Sequence, residues 1–138
     1  MLRKMVESKF EFGDCRKLMK DISTESIDMI VSSPPYNLNK NYGDLYVDNV
    51  HIDEWKQLIS DIFVEAKRIL KKDGSFFLNV SPIPDKKTKE IIPLNAIAWL
   101  IAKEHGFYLR NEIVWHFNGM QNCTNRLSGR WEAVLWFV

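Results

Sequence analysis

The sequence predicts an α/β fold: a mostly parallel sheet with an antiparallel closing strand pair and helices on both faces. Apolar runs of strand length alternate with stretches of helical period along the chain. Turn-forming residues fall between these segments, and the last two strand-like segments are joined by residues rich in Asn, Gly and Arg. At 138 residues and 46% hydrophobic, the chain is long enough for one domain with a substantial core.

Lys9 to Phe12 alternates polar and aromatic residues and stops at Gly13-Asp14, which predicts a short strand ending in a turn. Cys15 to Lys20 reads as a short helix. Ile27-Asp28-Met29-Ile30-Val31-Ser32 predicts a buried strand, and Asn37 to Asn49 a polar loop. Trp55, Leu58, Ile59, Ile62, Phe63, Ala66, Ile69 and Leu70 then recur at helical spacing. Asp53 is placed to cap this helix and Asp73-Gly74 to end it. Ser75 to Val80 predicts the next strand, Ser81 to Lys89 a loop, and Leu94 to His105 a helix closed by Gly106. Tyr108 to Phe117 and Glu132 to Val138 complete the strands. Trp55 and Trp99 are expected in the core with their helices, and Trp115, Trp131 and Trp136 with their strands.

The balance of 19 basic and 18 acidic side chains leaves a net charge of +1, so any contact with a polyanion must be local. Cys15 and Cys123 lack paired-motif spacing, and Met1-Leu2-Arg3-Lys4 does not open an apolar leader, which points to a reducing cytoplasm. No apolar run approaches the ~20 residues of a membrane span, so no membrane contact is expected.

Ser33-Pro34-Pro35-Tyr36 follows the apolar run at 27–32 and precedes the long polar loop. Its prolines fix two φ angles, offer no N–H and bias the preceding residues toward extended backbone. What remains is a set of carbonyl acceptors, a hydroxyl and an aromatic face. That set suits a planar group bearing an NH2, as a nucleobase does.

In ordered combination these segments resemble the amino-methylating DNA methyltransferases. The resemblance rests on Phe12-Gly13-Asp14-Cys15, then Ile27 to Leu38, Glu54-Trp55, Leu70 to Phe77, Asn111 to Trp115 and Arg130 to Trp136. It implies a partial Rossmann-like methyltransferase sheet, S-adenosylmethionine as cofactor and double-stranded DNA as partner. The methyl acceptor would be the exocyclic amine of a flipped base, cytosine N4 ahead of adenine N6 because the motif opens with Ser. Ser33 and Pro34 would accept the amine hydrogens and Tyr36 would stack on the base, with Pro35 completing the catalytic motif. Flipping costs a few kcal/mol, of which base stacking returns roughly 1–3 kcal/mol. Asp14 and Cys15 match the cofactor-binding position. Asn37, Lys40, Arg126 and Arg130 are the candidate DNA contacts. No metal and no covalent nucleophile are required.

The family's Phe-x-Gly-x-Gly cofactor loop has no counterpart here, since Gly13, Gly43, Gly74, Gly106, Gly119 and Gly129 are isolated. In the permuted class that opens with the Ser-Pro-Pro-Tyr half, that loop lies C-terminal. Residues 1–138 are therefore expected to be the catalytic half of a domain truncated at its C-terminus. The strand ending at Ser33 should then show an open edge, which could pair with the Lys9 to Phe12 strand, or with a C-terminal half or second polypeptide completing the sheet. A catalytically silent fragment that binds nucleic acid or a partner chain is the rival reading. A protein-glutamine methyltransferase is a second rival, but its cofactor loop normally precedes the motif.

Overall fold

The computed structural model describes residues 7–119, 123–124 and 126–138; Met1 to Lys4, read above for a leader, lie outside them. In chain order the elements are α1 (Cys15–Leu18), β1 (Ile27–Ser32), α2 (Ile52–Ile69), β2 (Leu70–Val80), β3 (Ile83–Pro84), β4 (Ile91–Ile92), α3 (Leu94–Glu104), β5 (Leu109–His116) and β6 (Trp131–Phe137). The main sheet runs β1-β2-β6-β5, and β3 and β4 form a separate two-stranded ribbon. β1 is parallel to β2, whereas β2–β6 and β5–β6 are antiparallel. The α/β class and the antiparallel closing pair match the sequence expectation, with one parallel pairing among the described strands.

α2 forms where the periodicity predicts. Trp55, Leu58, Ile59, Ile62, Phe63, Ala66 and Ile69 are its buried stripe, Asp53 and Glu54 sit in its first turn, and Lys67 and Arg68 in its last. His51, rather than Asp53, is its N-cap, with the imidazole accepting from the Asp53 N–H at 3.4 Å. The helix stops at Ile69, and Leu70 already belongs to β2, ahead of the predicted Asp73-Gly74 stop. Between the pairs Ile27↔Leu70 and Met29↔Ser75, β2 gains extra residues in a bulge. Gly74 sits in it because an added Cβ would come within 3.0 Å of both the Leu70 side chain and the Lys71 carbonyl.

Phe76, Leu78, Val80, Ala133, Leu135 and Phe137 alternate along β2 and β6 and are buried beneath α2 and α3. Phe63 joins the layers, with ring centroids 5.2 Å from both Phe76 and Phe107 and 5.4 Å from Phe137. Ser60 Oγ and His105 Nε2, 2.7 Å apart, tie α2 to α3. Gly106 takes φ +75° just past α3, as the predicted helix stop requires.

The opposite sheet face differs from expectation. It carries Met29, Val31, Ile113 and Trp115, all exposed, and the stacked pair Phe77–Trp136. Among the described residues no helix covers it, so the predicted second helical layer is not seen. Trp115 is accordingly 57% exposed, and Trp99 at 42% lies on the outer side of α3, so neither is a core residue; Trp55 is fully buried.

Lys9 to Phe12 does not form the predicted strand. Phe10 and Phe12 are 88% and 74% exposed, and among the described residues β1 pairs on one side only, with β2. An extended segment without a ladder partner gains none of the hydrogen bonds that define a strand. Direct pairing of the two segments, one of the expected outcomes, does not occur.

Candidate active site

β1 and β2 are parallel, so their carboxyl ends meet at Ser32–Ser33 and Val80–Ser81, the position where open α/β sheets present ligand sites. Trp55 fixes the turn after β1 from below: its indole N–H donates to the Pro35 carbonyl at 2.7 Å. The carbonyl of buried Pro34 has no donor among the described residues, so it stays available as an acceptor.

The loop that follows is held by Asp48, a buried carboxylate that accepts from the N–H groups of Asn37, Leu38 and Lys40 at 2.7, 3.0 and 2.9 Å. Asn37, at φ 62°, spends its amide on Val50, donating to its carbonyl at 2.8 Å and accepting from its N–H at 2.9 Å. This proposed DNA contact is therefore committed to loop structure. Asp48 is a functional-loop residue that sequence reasoning passed over, because its partners are backbone groups with no side-chain pattern.

Tyr36 turns back over the strand ends. Its hydroxyl lies 3.1 Å from Ser33 Oγ, 3.1 Å from the Asn79 carbonyl and 3.1 Å from Glu132 Oε2, and accepts from Asn79 Nδ2 at 2.7 Å. The same Asn79 amide donates to Glu132 Oε2 at 2.7 Å. Burial pushes the Tyr36 phenol up to about 12; the bond to Ser33 opposes this and the Glu132 carboxylate adds to it. Asn79 Oδ1 is buried without a partner among the described residues. Sequence reasoning gave no role to Asn79 or Glu132. The signal was present for Asn79, which stands at the carboxyl end of a predicted strand next to the motif strand.

Two cavities flank the turn. The larger, about 580 Å³, is lined by Tyr36, Lys40, Ser81, Phe117, Trp131 and Glu132 among others, with Arg126 also on its wall. It brings together Tyr36 with two of the four DNA-contact candidates, Lys40 and Arg126. Arg130 is exposed and is not among its lining residues.

The smaller, about 270 Å³, joins Asp14 and Cys15 to Ser33, Pro34 and Pro35, with Tyr46, Leu58 and Ile62 as its apolar wall. Asp14 caps α1 by accepting from the Arg16 N–H at 2.9 Å and pairs with the Arg16 guanidinium at 2.7 Å, which holds its carboxyl below the usual range. Burial pushes the Cys15 thiol up, so it is a neutral wall group. The Tyr46 hydroxyl is buried and without a partner among the described residues. An orphaned hydroxyl and a carboxylate beside the apolar Leu58 and Ile62, with Arg16, Ser32 and Ser33 also on the wall, fit the amine-bearing ring and methyl end of a cofactor such as S-adenosylmethionine.

Among the described residues, no group of His, Cys, Asp and Glu could hold a metal ion, and no helix is long and apolar enough to cross a membrane.

The profile of the N6_N4_Mtase family, described as DNA methylase, matches residues 27–138. The chain is 32% identical over 131 residues to the type II methyltransferase M.BglII of Bacillus subtilis, covering 95% of this chain and 35% of that protein. It is 31% identical over 137 residues to the DNA adenine methyltransferase YhdJ of Escherichia coli, covering 91% and 39%. Among solved structures, the cytosine-N4-specific PvuII DNA methyltransferase superposes with a TM-score of 0.75 at 21% identity, covering 91% of this chain and 46% of that one. The chain thus spans less than half the length of these relatives. With the matched profile running from the first residue of β1 through the closing strand pair, the chain belongs to the N6_N4_Mtase family of DNA methylases.

Proposed function

We propose that the chain is the catalytic half of an S-adenosylmethionine-dependent methyltransferase domain that methylates the exocyclic amine of a cytosine or adenine flipped from double-stranded DNA. The observation that carries this reading is the excess of acceptors at the strand ends: Ser33 Oγ, the Asn79 carbonyl and Glu132 surround a single phenol, and the open Pro34 carbonyl lies in the same turn, on the wall of the smaller cavity. A group with two N–H donors answers that excess, and the neighbouring cavity with Tyr36, Phe117 and Trp131 on its wall answers a planar ring.

In this reading Tyr36 stacks on the base, while Ser33 Oγ and the Pro34 carbonyl accept the two amine hydrogens. The nitrogen lone pair, otherwise delocalised into the ring, is thereby drawn toward a pyramidal, nucleophilic geometry. S-adenosylmethionine supplies the electrophilic methyl group when bound, and Asp14, Cys15 and Tyr46 would face its amine-bearing end. Lys40 and Arg126 on the cavity wall, and exposed Arg130 outside it, would meet phosphates. The remaining cofactor contacts would come from a C-terminal half or a second polypeptide beside β1.

The test is nucleoside mass spectrometry on DNA from cells expressing the protein. N4-methylcytosine or N6-methyladenine is expected, abolished by Ser33→Ala and lowered at least tenfold by Tyr36→Ala. Methylation at cytosine C5, or amine methylation indifferent to both substitutions, would overturn the reading.

A further inference from the structure

The hydrogens at the strand ends can be assigned from the geometry alone. Asn79 Nδ2 has two, and two acceptors lie at 2.7 Å: Tyr36 Oη and Glu132 Oε2. The opposite amide orientation would set Oδ1 against a carboxylate, so it is excluded. The Tyr36 phenol has one hydrogen. Its acceptors are the Asn79 carbonyl and the Glu132 carboxylate, both at 3.1 Å, and an ionised acceptor forms the stronger bond. With that hydrogen committed, the 3.1 Å contact between Ser33 and Tyr36 is a hydrogen bond only if the serine donates. Both lone pairs of Ser33 Oγ are then left for a ligand.

We infer that Glu132 is a positioning residue that sets the direction of this chain. Its charge draws the Tyr36 hydrogen, Tyr36 accepts from Ser33, and Ser33 is held as an acceptor that selects an amino group over a carbonyl at the reacting position of the base. Glu132 Oε2 receives two neutral donors and Oε1 none among the described residues; the carboxylate lines the same cavity as Tyr36, with Lys40 and Arg126 also on its wall. Without the charge, Ser33 could rotate and donate, and a base with a carbonyl at that position would be accepted equally well. The inference rests on the base-binding reading of this cavity and adds the residue that enforces amine specificity there.

The experiment titrates the chain with 2′-deoxycytidine and 2′-deoxyadenosine, and separately with 2′-deoxyuridine and 2′-deoxyinosine. The readout is the indole N–H resonance of Trp131, which lines the cavity and is assigned by loss in Trp131→Phe. The wild type should prefer the amino nucleosides, and Glu132→Gln, which keeps the shape and removes the charge, should reduce that preference by about tenfold. In Glu132→Gln the Tyr36 phenol, followed by tyrosinate absorbance and identified by Tyr36→Phe, should also ionise at lower pH than the wild-type value of about 12. Should Glu132→Gln not fold, Tyr36→Phe breaks the same chain and should abolish the preference. An unchanged amino preference in either folded variant, with binding intact, overturns the inference and leaves the base-binding reading standing. No perturbation of Trp131 by any of the four nucleosides overturns both.

Discussion

Two cavities flank the turn at Ser33 to Tyr36, one lined by Ser33 to Pro35 and the other by Tyr36, and they differ in how their charged groups are met. On the Asp14 side the carboxylate is neutralised within its own helix turn, by the Arg16 N–H and guanidinium, and Arg16 reaches on to Asp61 at 3.5 Å. On the Tyr36 side the Glu132 carboxylate meets, among the described residues, only neutral donors, and acceptors outnumber the hydrogens that could satisfy them. The first arrangement stabilises the protein without a ligand. The second keeps acceptor capacity in reserve, which folding alone would not favour, since unsatisfied buried acceptors cost free energy. In the proposed reading, the Tyr36 side is where recognition chemistry concentrates.

The strongest way to break the comparison is to release the loop that frames the Tyr36 side. Asp48→Ala strips three backbone N–H groups of their buried acceptor and is expected to cost about 3 kcal/mol or more, read by urea denaturation, with the loop becoming the first site of proteolysis. Trp55→Phe keeps the ring in the core but leaves the Pro35 carbonyl unmet, at about 1–3 kcal/mol, and should weaken binding of an amino nucleoside as the turn loses its anchor.

Asp14→Ala removes a cap from the other side and should cost about 1 kcal/mol while leaving nucleoside binding unchanged. Because the Asp14 carboxyl is held below its ordinary 3.8, its contribution is whole above that pH and is lost as pH falls through the lower folded value; Asp14→Ala should be insensitive over that window. The remaining effect has the opposite sign. The Tyr36 phenol is raised from 10.0 to about 12, so its contribution is whole below pH 10.0 and is lost as pH rises through about 12, a dependence that Tyr36→Phe should remove from the denaturation midpoint.

The long amphipathic helix was legible because its apolar stripe repeats over many turns, and the closing strands because each buries alternate residues. The two aromatics at 10 and 12 misled because alternation describes what a segment can offer a sheet, not whether a partner lies beside it. Trp99 and Trp115 show the same limit: size and period do not say which sheet face or helix side is covered. The placing of Ser33, Pro34 and Tyr36 at the end of a strand was legible from the apolar run before them. Glu132 was quoted with the family's closing strand, yet its role depends on a contact with Tyr36 spanning 96 positions, which no local pattern encodes. The loop role of Asn37 was hidden for a related reason, since its amide bonds Val50 across the loop.

The sheet order has a consequence for how the molecule comes together. β6, the last of the described strands, lies between β2 and β5, both of which precede it. A nascent chain that has emerged only as far as Phe117 can form α2 and the β1–β2 pair, but β2 and β5 then hold open edges with nothing to bridge them. Phe137, whose ring meets Phe63 at 5.4 Å, arrives last of the core aromatics. Closure of the core therefore waits on residues 131–137, and the slow step in folding should be the capture of that strand between two others already in place, a pairing of high sequence separation.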